Sequence, residues 1–424
     1  MKMTFPPSFL RRVVTLVVVL ALAAADMTAQ PTTGNEPSFL AEKYKTFSVI
    51  GDSYSTFVGK TEPVDNAQFY PRQGIDIYEP SQTWWKLFER ETGIRLEQNN
   101  SFSGGTICNT WWNGDDASTV SFVYRSQNLR KADIIVVEGG TNDSNAGSPI
   151  GSYKYADWTT ADLKAFRPAT AWVLNYLKEK YPESLIVFML NNGLKTDINT
   201  SVKEICQHYD VPLLMLSGVS KALDHPTYAG MQTIRDQLVA LLAQREGYTV
   251  LNSNVVYSAK TDAEHVNVCM RLPFHADEWT TCCLPVNLSK EQIDYLFGSN
   301  AIVAQLESVE GTALNFASVT AIEAHKPYIV RPTISRPAIF TFNDLTLKGG
   351  SPQSVASEGC SMVGLYRPRS FQAMMKDIFF IDAAGQIVKS ETAVGMKSFS
   401  AYFKLSDASA GSYEIVLDGK KVKR

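Results

Sequence analysis

Between residues 44 and 248 the chain alternates short, β-branched apolar runs with longer runs of helical periodicity, and this alternation constrains the fold more than any other feature of its 424 residues. Strand-like runs fall at residues 47–50, 95–98, 133–137, 185–190 and 211–215. Helix-like runs fall near 81–91, 168–180, 201–208 and 228–244. Strands separated by helices form a parallel sheet covered on both faces, so the reading is α/β, a three-layer α/β/α domain with a parallel five-stranded sheet over residues 44–248.

Beyond residue 248 the helical periodicity fades. Short alternating runs at 316–322, 328–330 and 413–417, separated by Gly, Pro and Asn clusters, predict a β-rich, sandwich-like antiparallel domain over 259–424, with one helix at 289–296. At the other end, Lys2, Arg11 and Arg12 precede an apolar run at 13–25 that closes on small residues. That order reads as a signal peptide over 1–29, followed by a Pro-, Thr- and Gly-rich lead-in at 30–43. The expectation is a secreted or periplasmic protein with no lipobox cysteine and no transmembrane segment after signal cleavage.

A formal net charge of −3 supplies no field for a nucleic acid partner. The six cysteines show no Cys-x-x-Cys spacing and only five histidines accompany them, so no metal and no cofactor is expected. Adjacent Cys282 and Cys283 read as core packing, and an oxidising compartment leaves room for one or two disulfides.

Four short stretches carry the chemistry. The first strand stops at Gly51-Asp52-Ser53, which presents a hydroxyl at the carboxyl end of the sheet, where open α/β sheets bind their ligands. Ser101-Phe102-Ser103-Gly104-Gly105-Thr106 follows the second strand, and Gly139-Gly140-Thr141-Asn142-Asp143 follows the third. Asp224-His225-Pro226-Thr227 opens the last helix, with Pro226 expected at its start. Alone, each reads as a cap or a turn. Together they supply a serine, a base that works near neutral pH, and fixed donors for the negative oxygen of a tetrahedral intermediate.

These four ordered blocks resemble those of the SGNH (GDSL) hydrolase family. The resemblance implies a flavodoxin-like fold and a serine esterase, with Ser53 as nucleophile, His225 as general base, and Ser53, Gly104 and Asn142 forming the oxyanion hole. One position departs from the pattern. The aspartate usually found three residues before the histidine is replaced by Ala222, so the imidazole is held either by a backbone carbonyl, as a Ser-His dyad, or by Asp224. A second Asp-x-x-His, Asp262 to His265, lies in the β-rich part with no helix after it. Asp143, Trp111, Trp112 and Arg167 are substrate-contact candidates, whereas Trp84 and Trp85 read as core.

The C-terminal half resembles a β-rich module found at the end of many secreted proteins of gut-dwelling Gram-negative bacteria, through residues 279–286 and 324–330. An accessory or attachment role is implied. The reading as a whole is a secreted serine ester hydrolase acting on an acylated small molecule or glycan, with glycan deacetylation put first. The alternatives are a lipid or thioester acyl hydrolase using the same site, and a non-catalytic flavodoxin-like or adhesive binding protein.

Overall fold

The structure is a computed structural model and describes residues 38–272, 274–335, 339–406 and 412–422. The expected signal peptide and residues 30–37 of the expected lead-in lie outside the described residues. The rest of that lead-in departs from the expectation of an irregular segment, because Phe39–Lys43 forms a short helix, α1, that buries Leu40 and Ala41.

Five strands form a parallel sheet in the order β2-β1-β3-β4-β5: β1 Thr46–Gly51, β2 Arg95–Asn99, β3 Ile134–Glu138, β4 Leu185–Leu190 and β5 Leu213–Met215. This is the flavodoxin-like strand order. Alternate residues of each strand feed opposite cores, as the two-residue repeat of a strand requires. Phe47, Val49, Ile134, Val136, Val187 and Met189 pack on one face with helices α2 (Trp84–Thr92) and α7 (Tyr228–Arg245). Ile50, Ile135, Val137, Ile186, Phe188 and Leu190 pack on the other with α5 (Phe166–Lys180) and α6 (Thr196–His208). Two shorter helices, α3 (Phe122–Arg125) and α4 (Thr141–Ala146), lie between β2 and α5 in the chain.

Helix α7 differs from the expectation at its start. Pro226 pairs with Lys221 in a small hairpin, β6 (Lys221–Ala222) and β7 (His225–Pro226), and Thr227 is the N-cap, its hydroxyl accepting from the Gly230 N–H at 3.2 Å.

Helix α7 runs directly into β8 (Tyr248–Asn252), which belongs to the C-terminal half. There β8 pairs in parallel with β9 (Ala263–Arg271), and β9 pairs antiparallel with a strand at Phe340–Leu347. A second sheet of eleven strands contains Ala313–Ser318 and Ser412–Leu417 as parallel neighbours. The expected antiparallel module is therefore corrected to mixed sheets: about ninety residues separate Ala313–Ser318 from Ser412–Leu417, ample for a crossover, and about ten join β8 to β9. The expected helix is present as α8 (Lys290–Phe297), closed at its start by a reciprocal Ser289–Gln292 capping box. All six cysteines are buried free thiols, with Cys282 and Cys283 in the core.

Candidate active site

Ser53 leaves β1 in a single 3₁₀ turn, Ser53–Ser55, in which Asp52 Oδ1 accepts from the Tyr54 N–H at 3.0 Å. Gly51 is required by close packing, because a Cβ there would lie 2.7 Å from Ser101 Oγ and Ser55 Cβ. The turn is clamped from beneath. Trp84 Nε1 donates to Ser55 Oγ, Trp85 Nε1 donates to the Ser55 carbonyl, both at 3.0 Å, and Asn99 Nδ2 donates to the same carbonyl at 2.8 Å. Both tryptophans are fully buried, as expected, and truncating either to Ala costs about 3–5 kcal/mol.

The structure brings His225 to Ser53, 172 residues away in the chain, with Nε2 2.9 Å from Oγ. The other ring nitrogen, Nδ1, lies 2.8 Å from the Leu223 carbonyl oxygen. An N–H at Nδ1 donating to that carbonyl leaves Nε2 as the acceptor facing the serine. Of the two expected arrangements, the contact at Nδ1 is with a backbone carbonyl, that of Leu223, and not with the Asp224 carboxylate. Asp224 contributes its own carbonyl, which accepts from Tyr54 Oη at 2.8 Å, and Tyr70 Oη donates to the Pro226 carbonyl at 2.8 Å. Two tyrosines thus pin the hairpin that carries the histidine. The imidazole also stacks on Phe69, with centroids 3.4 Å apart and planes 8° from parallel.

The loop that carries Gly104 is tied to the end of β1, where the Phe102 N–H donates to the Gly51 carbonyl at 3.1 Å. Among the described residues, the N–H groups of Ser53 and Gly104 bond to no protein acceptor, although Ser53 is only 6% exposed. Gly104 has φ +83°, a conformation glycine adopts without steric cost, and its carbonyl accepts from Trp111 Nε1 at 2.6 Å. Asn142, 7% exposed at the start of α4, donates one amide proton to the Gly105 carbonyl at 3.1 Å and retains a second.

Three of the expected substrate contacts are placed differently. Asp143 is 1% exposed and accepts from the Ile107 and Cys108 N–H groups at 2.8 and 3.2 Å, so it ties the Gly104 loop to α4 and presents no surface to a ligand. Arg167 donates to Ser201 Oγ and the Gly151 carbonyl and lies over the Tyr153 ring, outside the Ser53 group. Trp111 is an anchor for Gly104, while Trp112 beside it is exposed. The second Asp-x-x-His stretch is also elsewhere: His265 is exposed on β9 and pairs with Asp344 at 2.7 Å.

The GDSL-like Lipase/Acylhydrolase family profile matches residues 45–242. The crystal structure of a GDSL-like lipase candidate from Bacteroides ovatus is 45% identical, over 47% of this chain and 99% of that one, with a TM-score of 0.47. The chain belongs to the GDSL-like lipase/acylhydrolase family. A second GDSL-like lipase candidate, from Bacteroides uniformis, is 44% identical over 46% of this chain and 93% of its own, with a TM-score of 0.45. No curated protein matches the chain. Family membership makes the protein a carboxylic ester hydrolase.

In this hydrolase the electrostatics around His225 favour the neutral ring. Burial lowers its pKa first, against the Leu223 hydrogen bond; the Arg72 guanidinium and Lys221 ammonium lower it further, and Asp224 opposes them. Arg72 reaches the site through Phe69, its guanidinium 4.9 Å from the centroid of the ring that stacks on His225. Lys221 donates to Asn191 Oδ1 at 3.0 Å, and Asn191 Nδ2 donates to Tyr54 Oη at 2.9 Å. Sequence reasoning missed Phe69, Arg72, Tyr54, Tyr70, Lys221 and Asn191. Only Tyr54, which directly follows the serine, carried a positional signal.

Proposed function

We propose that this hydrolase removes acetyl groups from a glycan, with Ser53 as nucleophile and His225 as general base. Ser53 Oγ attacks the acyl carbon while Nε2 takes its proton. The N–H groups of Ser53 and Gly104 and the free amide proton of Asn142 hold the oxyanion. The imidazolium then protonates the departing sugar oxygen, and water releases acetate by the same route. The observation that carries this reading is the 2.9 Å contact between Ser53 Oγ and His225 Nε2, beside two unengaged backbone N–H groups.

Two features support a small acyl group on a sugar. The rings of Phe69, Tyr54 and Tyr70 crowd the imidazole, and Trp112, 42% exposed, offers an indole for stacking next to the anchored Gly104 loop. The basic residues ahead of the apolar run at 13–25 support action outside the cytoplasm. Acetate release from a panel of acetylated glycans tests the proposal. Wild type should release acetate from at least one glycan, and Ser53→Ala should release none. Asn142→Ala should lower kcat by about 10²–10³. Equal release by Ser53→Ala would remove the serine mechanism, and release only from long-chain acyl esters would remove the glycan.

A further inference from the structure

The C-terminal half contains a cleft of about 610 Å³ with no counterpart in the esterase chemistry. That volume is within the range of small-ligand sites. Its walls include Tyr257, Tyr366, Ser258, Ser351, Arg367 and Arg369, and none of the residues lining it is acidic. Tyr366 is buried, its hydroxyl fixed 2.8 Å from His325 Nδ1, and the Tyr257 ring packs edge-on against it at 5.5 Å. The aromatic wall is therefore rigid.

The two arginines differ in how they are held. Arg369 is pre-set, with its guanidinium 4.7 Å from the Phe371 centroid and 5.5 Å from that of Tyr402, and Nη1 donating to Tyr402 Oη at 3.2 Å. Arg367 is exposed and makes no hydrogen bond or ion pair among the described residues. Two guanidiniums share one cleft, and no carboxylate lines it to balance them. The Tyr257 hydroxyl is itself buried, so the face this residue turns to the cleft is its ring.

We propose that this cleft binds an anionic sugar residue of a polysaccharide, through its carboxylate or sulfate group. Guanidinium forks pair with planar carboxylates and with sulfate oxygens through two parallel hydrogen bonds. The aromatic wall takes a sugar face, and Ser258 and Ser351 face ring hydroxyls. The site would anchor the enzyme on an acidic glycan, separately from the serine centre.

Calorimetric titration of the full-length Ser53→Ala chain tests this without turnover, using polygalacturonate for the carboxylate, dextran sulfate for the sulfate and neutral dextran as control. Binding to either polyanion and not to dextran is expected, and it should weaken at least tenfold in Arg367→Glu. The ligand that binds identifies the anion. Ser351→Trp, which fills the cleft without changing charge, should abolish binding as well and serves if the first variant does not fold. Hydrolysis of p-nitrophenyl acetate by Arg367→Glu with Ser53 intact should equal wild type. Absence of polyanion binding, or binding that both variants leave unchanged, would overturn the proposal whatever the esterase assays give.

Discussion

Leu223 and Asp224 adopt φ of 49° and 60° between the paired residues Ala222 and His225. Two left-handed residues at the tip of a two-residue hairpin give the type I′ pattern, where Asn and Gly are usual and a leucine costs about 1 kcal/mol. The strained turn places the Leu223 carbonyl on Nδ1, the position a carboxylate would otherwise occupy. Leu223→Asn should therefore keep activity and raise unfolding free energy by about 0.5–1 kcal/mol, read from denaturant midpoints. In the proposed Ser-His dyad the Asp224 carboxylate has no orienting role. Asp224→Asn should leave kcat within a few fold, whereas loss of a carboxylate orienter costs about 10⁴. Its remaining effect is electrostatic. With His225 as the proposed base, its depressed pKa should set the acidic limb of kcat/KM below the usual histidine value of about 6.5. Asp224 raises that pKa and Arg72 lowers it, so Asp224→Asn should move the limb to lower pH and Arg72→Ala to higher pH. Shifts in the same direction would contradict the arrangement. The contrast also explains what the sequence made legible at this scale. Ser53, Gly104, Asn142 and His225 sit in short blocks tied to strand ends or a helix start, but a backbone carbonyl has no side-chain signature. Phe69 and Arg72 come from a loop that only the folded chain brings to the ring.

At the scale of elements, the pairing of β1 with β3 puts Gly51 opposite Glu138, and with it two carboxyls behind the serine turn. Glu138 Oε2 accepts from the Asp52 N–H and Ser55 Oγ at 3.1 and 3.0 Å, while Glu138 Oε1 and Asp52 Oδ2 are buried without partners. A proton shared between those two oxygens satisfies both. Burial, and then the Asp52 charge, raise the Glu138 pKa well above the ordinary carboxyl range, and burial lifts Asp52 to about 6. Buried Arg125, which donates to the Gly51, Asn100 and Val120 carbonyls, completes the group. A carboxyl whose folded pKa is raised contributes stability that is full below its unfolded pKa and is lost as pH rises through the folded one. Glu138→Gln keeps the neutral shape, so it should match wild type near pH 5 and gain on it progressively as pH rises, in melts taken from pH 5 to 9. A constant difference across that range would mean no shared proton. Elements of the N-terminal half were readable because each strand or helix announces itself within about ten residues. The mixed sheets were not, because the pairing of Ala313–Ser318 with Ser412–Leu417 joins segments about a hundred residues apart.

For the whole molecule, the question is whether the catalytic half and the β-rich half unfold together. Arg271, on β9, lies 2.6 Å from Asp236 Oδ1 and, off the hydrogen-bonding direction, 2.6 Å from Glu91 Oε1. Arg235 bridges the same two acids at 2.6 and 2.5 Å. Glu91 is on α2 and Asp236 on α7, so one guanidinium from the C-terminal sheet neutralises acids on two helices of the catalytic half. All four side chains are largely buried, and burial already pushes the Glu91 pKa up against the two arginines. Deleting one partner of such a group strands the others, at about 3–5 kcal/mol. The link is reinforced by continuity, since α7 passes into β8 with only Glu246 and Gly247 between them. Wild type should therefore unfold in urea as one transition by fluorescence and by circular dichroism. Arg271→Ala should lower the midpoint by that free energy and separate the two halves into successive transitions. A single transition displaced by less than about 1 kcal/mol would place the coupling in the apolar contacts of β8 and β9 instead. Because the ions lie on the faces of α2 and α7 and not at the Ser53 rim, kcat measured well below the first transition should be unchanged.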